Sequence, residues 1–191
     1  MADNTGERPE SIARDEIIRE AKRLEETTLH SAKGHYCAAR RWNGRNLWLG
    51  LPMVVISSIA GAAAFTHAAK EYFWLGIVAG AASITVAVLS AINTFLNPNE
   101  KEAAHLTAAH AFDKLNNEAR VFWSIECWYG TEETLTAKLK DLIARKDQLN
   151  SDSPQIPRWA YLEAKKGIKE GEASFHVDEI PPAQESGRVG E

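Results

Sequence analysis

The chain has 191 residues and a formal net charge of −4, with 22 Lys and Arg against 26 Asp and Glu. A charge this small and of this sign gives no indication of nucleic-acid binding, and no nucleic-acid partner is expected. The basic residues are interleaved with acidic ones except directly before the first of two long uncharged stretches. The two cysteines, Cys37 and Cys127, form no CxxC pair.

The N-terminal part is predicted to be a flexible lead-in over 1–10, followed by a cytoplasmic amphipathic helix over 11–45. Apolar residues recur at helical spacing in this helix, and charged residues occupy the opposite face. The apolar stripe comprises Ile17, Ala21, Leu24 and Thr28, with Ile18, Leu29, Ala32 and Tyr36 beside it. Gly34 and Gly44 weaken the helix locally, and Gly44 is the candidate position for a bend before the membrane.

Two long uncharged stretches, 47–69 and 72–96, follow with only Lys70 and Glu71 between them. Each exceeds the roughly 20 residues that a helix needs to cross a bilayer core. Buried helices of a soluble bundle rarely run so far without a charge, and a signal peptide would not lie so deep in the chain. The predicted fold class is therefore an all-α membrane protein. Its two-span transmembrane hairpin covers 46–97, with long cytoplasmic helices on either side.

The orientation of the hairpin is predicted from basic residues at its first edge. Arg40, Arg41 and Arg45 precede the first stretch, whereas the turn carries one Lys and one Glu. Basic residues close to a membrane end are retained on the cytoplasmic side, so both termini are expected in the cytoplasm. The cysteines then lie in a reducing compartment, and membrane lipid is an expected partner.

Small residues occur on one face of each predicted span. Gly76 and Gly80 form a GxxxG in the second span, and Ser57 and Gly61 belong to a small-residue face in the first. Small residues allow membrane helices to approach closely. We favour packing within the hairpin over contacts between subunits as their role.

A line of polar residues follows the second span. It comprises Ser83, Ser90, Asn93, Thr94 and Asn97. Polar side chains in a span are costly unless they face protein or water, so in a ring of subunits this line could coat an uncharged pore. The alternative is that the hydroxyl groups bond the backbone of their own helix, which an asparagine amide cannot do in the same way.

A helical cytoplasmic region is predicted over 98–172. Its first helix begins with Asn97 as N-cap, Pro98 at the first position and Glu100 at the capping-box position. Apolar spacing continues this helix to about residue 129, with Gly130 as the C′ residue. The stripe comprises Ala104, Ala108, Ala111, Leu115, Ala119 and Phe122.

Two further helices are predicted beyond this point. Thr131 caps one whose apolar side comprises Leu135, Leu139, Leu142 and Leu149. The segment SDSPQIP over 151–157 is a predicted turn, because each proline disfavours helix before it. The last helix covers 158–172. The remaining tail, 173–191, has few apolar groups and is predicted to be disordered.

Six histidines and two cysteines raise the question of a metal site. The pairs His30/His35 and His105/His110 are five residues apart and point in different directions on a helix, whereas a shared metal usually requires a spacing of three or four. No metal site or cofactor is therefore predicted. No GxSxG, HExxH, Walker loop or GxGxxG occurs in the sequence, so it does not indicate an enzyme.

Two segments resemble a known family. The long helix with HLTAAHAFDKLNNEARVFW and the closing segment PQIPRWAYLEAKKGIKEGE, placed around a tight two-span hairpin, resemble the SLATT domain. The resemblance covers roughly 11–172 and brings no catalytic signature.

The resemblance implies a function. SLATT proteins are regarded as two-span effectors of bacterial conflict systems, often encoded beside nucleotidyltransferases or nucleotide sensors. It implies an anti-phage effector that oligomerises into a pore in the inner membrane and causes growth arrest or cell death. Because no sensing domain is fused here, the implied partner is a nucleotide-signalling or sensor protein encoded nearby. The alternative is a non-conducting membrane-anchored scaffold or sensor that recruits a cytoplasmic partner.

Overall fold

The structure is a computed structural model that describes residues 10–64 and 73–174. These residues form five α-helices and one 3-10 helix, which confirms the all-α prediction. The helices are α1 (Glu10–Ala64), α2 (Phe73–Leu96), α3 (Pro98–Ser124), α4 (Glu132–Asp152) and α5 (Arg158–Lys169), with the 3-10 helix at Glu126–Trp128. The predicted turn at Lys70 and Glu71 and nearly all of the predicted lead-in and tail lie outside the described residues.

The helix α1 joins two segments that the sequence separates. It has 55 residues and continues through Gly44 and Pro52 into the apolar stretch. At 1.5 Å per residue its length is about 80 Å. Pro52 has no backbone N–H, so one helical hydrogen bond is missing at this point without ending the helix. The predicted boundary at residue 45 is therefore not a break in the helix.

The core lies where the first half of α1 packs against α3 and α4. Its buried members are Ile17, Ala21 and Leu24 from α1, Leu115, Ala119 and Phe122 from α3, Cys127, and Leu135, Leu139 and Leu142 from α4. The predicted stripe of α1 is confirmed by this burial. Full burial of one Leu or Phe side chain contributes about 1.5–3 kcal/mol, so this cluster accounts for the association of the three helices.

The predicted stripe of α3 is confirmed only in part. Ala108, Leu115, Ala119 and Phe122 are buried, but Ala104 is exposed. Five buried residues of this helix do not belong to the predicted stripe, namely Pro98, His105, Ala109, Phe112 and Asn116. His105 and Asn116 are polar, and this is why a search for apolar spacing overlooked these two.

A buried polar contact joins α1 to α3 inside the core. The Asn116 amide Nδ2 donates to the carbonyl oxygen of Glu25 at 2.6 Å and lies 3.3 Å from the Thr28 hydroxyl. The Thr28 hydroxyl itself donates to the Leu24 carbonyl at 2.8 Å. Both buried polar side chains therefore have partners, as stability requires.

The corner between α3 and α4 differs from the prediction. α3 ends at Ser124 and a 3-10 helix follows, so the predicted helix to residue 129 is too long. Positive φ among the described glycines is confined to Gly171, so the predicted C′ role of Gly130 is wrong. A Cβ at Gly130 would lie 2.6 Å from Cδ2 of Leu135, which shows that close packing requires the glycine. Thr131 caps α4 as predicted, accepting from the Thr134 N–H.

The helix α5 packs against α1 near the middle of that long helix. Its buried residues are Ala160, Ala164 and Gly167, and a Cβ at Gly34 of α1 would lie 3.1 Å from the Ile156 side chain. α5 ends at Lys169, three residues before the predicted end. Gly171 there has φ 89°, with the Glu172 N–H bonded to the Gly167 carbonyl, which is a Schellman motif.

Replacing Phe122 with Ala should destabilise the helical core by about 3–5 kcal/mol, because the side chain is fully buried and leaves a cavity. Thermal unfolding of the full chain in detergent, followed by helical circular dichroism, measures the effect. Val121→Ala is the matched control, since Val121 is 41% exposed on the same helix and should change the unfolding temperature little. Equal shifts for both variants would contradict the assignment of the core.

Candidate functional site

The helix α2 has no buried residue. Its exposed large apolar side chains are Phe73, Trp74, Ile77, Val78, Ile84, Val88, Ile92 and Phe95. Within 10–64 and 73–174, one helical stretch, Phe73–Trp128, is long and apolar enough by length and composition to cross a membrane. The 24 residues of α2 extend about 36 Å, enough for a hydrocarbon core of about 30 Å. α2 is therefore compatible with a membrane span.

The second half of α1 presents a similar surface beside α2. Its exposed apolar side chains are Leu47, Trp48, Leu51, Val54, Val55 and Ile59. α1 and α2 are in contact, so the two apolar surfaces form one continuous region. An exposed apolar region of this extent indicates contact with lipid or with other protein. The predicted first span over 47–69 is described as far as Ala64.

The hydroxyl groups on α2 include some that bond their own helix. The Ser83 Oγ donates to the Ala79 carbonyl at 2.9 Å, and the Thr85 Oγ1 donates to the Ala81 carbonyl at the same distance. This is the arrangement that the alternative interpretation of the polar line expects. Ser90 and Thr94 are exposed on the same helix.

The two asparagines of the polar line have different environments. The Asn93 Oδ1 is buried and has no hydrogen-bond partner among residues 10–64 and 73–174. Asn97 connects α2 to α3 in the left-handed conformation, with φ 42° and ψ 58°. It is the N-cap residue of α3 as predicted, with Pro98 at the start of the helix, but its side chain makes no capping hydrogen bond. Its amide instead donates to the Glu100 carboxylate. Asparagine tolerates this backbone conformation better than most residues do.

The small-residue faces are open in the single chain. A Cβ built at Gly61, Gly76 or Gly80 meets no atom of the described residues within 4 Å, and Ser57 is exposed. Close approach of α1 and α2 within one chain therefore does not depend on these glycines. The faces remain available for contacts outside the chain.

The predicted basic residues lie where α5 meets α1. Arg40 forms an ion pair with Glu163 of α5. The guanidinium of Arg41 lies 4.3 Å from the ring centroid of Trp159, and that of Arg45 lies 4.4 Å from the ring of Trp42. They therefore bind to aromatic and acidic groups of the chain as well as preceding the apolar half of α1.

A buried histidine pair was not predicted. His35 of α1 and His105 of α3 bring their Nδ1 atoms to 3.0 Å, and His35 also stacks on Phe112. One ring donates and the other accepts, so the contact needs two different neutral tautomers. The sequence compared histidines only within one helix, whereas this pair depends on how two helices align.

Burial sets the protonation of the pair. Burial, together with the neighbouring His105, lowers the pKa of His35 from 6.5 to about 4. Burial also lowers the pKa of His105. No group of three or more His, Cys, Asp or Glu residues that could hold a metal ion occurs in the part of the chain that the structure describes.

Neither cysteine is an activated nucleophile. Cys127 is buried and Cys37 is half-buried. Burial raises the pKa of both thiols, and neighbouring carboxylates add to the effect at each site. The reactive thiolate form is therefore disfavoured at neutral pH.

The chain was compared with known proteins in three ways, and it matches no family model, no curated protein and no solved structure.

Stability should fall as the pH drops from about 6.5 towards 4. Over this range His35 and His105 bind protons in the unfolded chain but stay neutral in the folded one. Above the pKa that His35 has in the unfolded chain, its contribution to the free energy of unfolding is fully present. Below that pKa, at most about 3 kcal/mol of the free energy of unfolding is lost through His35. Thermal unfolding between pH 7.5 and 4.5 measures the loss.

The variant that tests this dependence is His35→Gln with His105→Gln, which keeps hydrogen-bonding groups but cannot take up a proton. It should show a smaller loss of stability with acid than the parent. His30→Gln, at a half-exposed histidine on the same helix, should behave like the parent. If the double variant loses as much stability in acid as the parent, the pair does not control this pH dependence.

Proposed function

We propose that the chain is a two-span membrane protein with both termini in the cytoplasm, whose apolar helices assemble into a pore that disrupts the bacterial inner membrane. The observation that carries the proposal is α2, a span-length helix with no buried residue. It carries a line of polar side chains and is joined to a well-packed cytoplasmic bundle through the single residue Asn97.

The two-span topology rests on the second half of α1. That half exposes apolar side chains next to α2, and a membrane would cover both surfaces together. Arg40, Arg41 and Arg45 precede this half, and Lys101 follows the end of α2. Basic residues at the same end of both helices favour a cytoplasmic location for that end.

Assembly rests on what a single chain leaves unsatisfied. Two helices cannot enclose a channel, so a pore requires several copies. The faces of Gly61, Gly76 and Gly80 are open to another helix, and close approach there needs small residues. The Asn93 amide oxygen has no donor in the part of the chain that the structure describes, and a neighbouring subunit or pore water would supply one.

The biological role rests on the resemblance to the SLATT domain. The proposal is an effector of an anti-phage system that depolarises the membrane and stops growth when activated. A nucleotide-signalling or sensor protein encoded nearby would supply the signal, acting on the cytoplasmic bundle. No catalytic step is part of this proposal.

A non-conducting scaffold is the second candidate. It is favoured by Ser83, whose hydroxyl is satisfied within α2, and by Asn97, whose amide is engaged by Glu100. If the whole polar line were satisfied within one chain, the spans would need no water-filled interior. The cytoplasmic bundle would then recruit a partner to the membrane.

Replacing Asn93 with Leu should reduce depolarisation by several-fold in cells that overproduce the protein, because an apolar pore lining tends to exclude water. A membrane-potential dye and the growth rate are the readouts, and cell fractionation shows that the variant still reaches the membrane. Thr85→Val is the control, since that hydroxyl is satisfied in its own helix. Asn97→Gly removes the second amide while keeping the left-handed backbone.

The outcome separates the two candidates. Undiminished depolarisation by Asn93→Leu combined with Asn97→Gly would exclude the polar line as the pore lining. A parent protein that inserts but does not depolarise the membrane under any trigger would favour the scaffold.

Reporter fusions should locate both termini in the cytoplasm. Reporters that are active only in the cytoplasm should be active when they are fused after Glu10 and after Glu191. A tag between Lys70 and Glu71 should be accessible from outside. The reason is the cluster of arginines before the first span against a nearly neutral turn. A C-terminus on the outer side would contradict the hairpin.

A further inference from the structure

We propose that three cations and two tryptophans at the foot of the apolar helices form a binding site for the headgroup of an anionic phospholipid. These residues are Arg41, Arg45, Lys101, Trp42 and Trp159, here called the cation–tryptophan collar. The proposal rests on the membrane insertion proposed above and adds a lipid class and a place on the protein.

The collar is built from three helices. Arg45 and Lys101 both lie over the ring of Trp42, at 4.4 Å and 4.5 Å from its centroid. Arg41 lies over the ring of Trp159 at 4.3 Å. Trp42 and the two arginines belong to α1, Lys101 to α3 and Trp159 to α5. The rings hold these long side chains in place, which lowers the entropy lost when a ligand binds.

The positive charges of the three collar cations are not neutralised by carboxylates of the described residues. None of them takes part in an ion pair among residues 10–64 and 73–174, in contrast to Arg40, which Glu163 neutralises. All three are exposed. A guanidinium that stacks on a ring still directs its N–H donors outwards in its own plane, where they can bind phosphate oxygens.

Two acidic residues, Glu100 and Glu102, lie on either side of Lys101 in the sequence. The Glu100 carboxylate accepts from the Asn97 amide, and Glu102 lines a cavity of about 770 Å³ together with Arg40 and Glu163. The three cations outnumber these two carboxylates by one, so the collar keeps a small excess of positive charge, although the chain as a whole is negative.

The position of the collar indicates lipid as the ligand. The exposed apolar side chains Leu47 and Trp48 begin directly after Arg45, and Lys101 follows closely on the last apolar residues of α2. Tryptophan and basic residues in this position lie at headgroup depth. A lipid headgroup whose phosphate leaves it with a net negative charge complements the three unpaired cations. A zwitterionic headgroup carries a cation of its own and complements them less well.

The test uses the full chain in vesicles of phosphatidylglycerol and phosphatidylcholine with identical acyl chains. After detergent extraction, mass spectrometry measures the ratio of the two lipids that stay with the protein. The parent should retain phosphatidylglycerol several-fold over its share in the vesicle. Arg41→Gln, Arg45→Gln and Lys101→Gln together should abolish that enrichment, and Lys101→Gln alone should reduce it in part.

A control variant has the same change in charge at another place. Arg19→Gln, Arg23→Gln and Lys140→Gln replace three exposed cations away from the collar, and enrichment should remain as in the parent. The site would be overturned if this control also lost the enrichment of phosphatidylglycerol, or if the collar variants kept it. Helical circular dichroism checks that each variant is folded.

The proposed function and the lipid site fail in different ways. A parent protein that alkaline carbonate removes from the vesicles is not inserted, which overturns both. A parent protein that resists carbonate but shows no preference for phosphatidylglycerol overturns the lipid site alone and leaves the pore proposal standing.

Discussion

Each of the other helices that the structure describes packs against α1, so the position of each of these helices depends on its contact with α1. Its first half buries an apolar stripe against α3 and α4, and its second half exposes apolar side chains beside α2. The helix is continuous from Glu10 to Ala64, so one element connects the buried stripe with the exposed apolar side chains.

A second connection lies between α2 and α3. Only Asn97 separates the two helices, and backbone hydrogen bonds continue across it. The Asn97 N–H donates to the Asn93 carbonyl, and the Lys101 N–H donates to the Asn97 carbonyl. A shift of α3 in the bundle would therefore reach α2 directly. Together with α1, this gives two helical connections between the packed helices of the core and the exposed apolar helices.

Several local patterns could be predicted from the sequence, although the end of α3 and the role of Gly130 were not, and contacts between helices could not be predicted. The stripe Ile17, Ala21 and Leu24 and the cap at Thr131 are confirmed because each depends on residues within a few positions of one another. The contact of His35 with His105 depends on the alignment of two helices, which spacing within one helix cannot reveal. Of the candidate site, the unpaired Asn93 oxygen and the open glycine faces likewise became visible only in three dimensions.

The central claim is that copies of this chain conduct ions through an assembly of their apolar helices. The most direct measurement is the current across a planar lipid bilayer that contains the purified protein at known density. The account predicts discrete current steps whose frequency rises steeply with the number of copies, since several chains form each pore. A correctly inserted protein that gives no current at any density, or a current strictly proportional to the number of single chains, would contradict it.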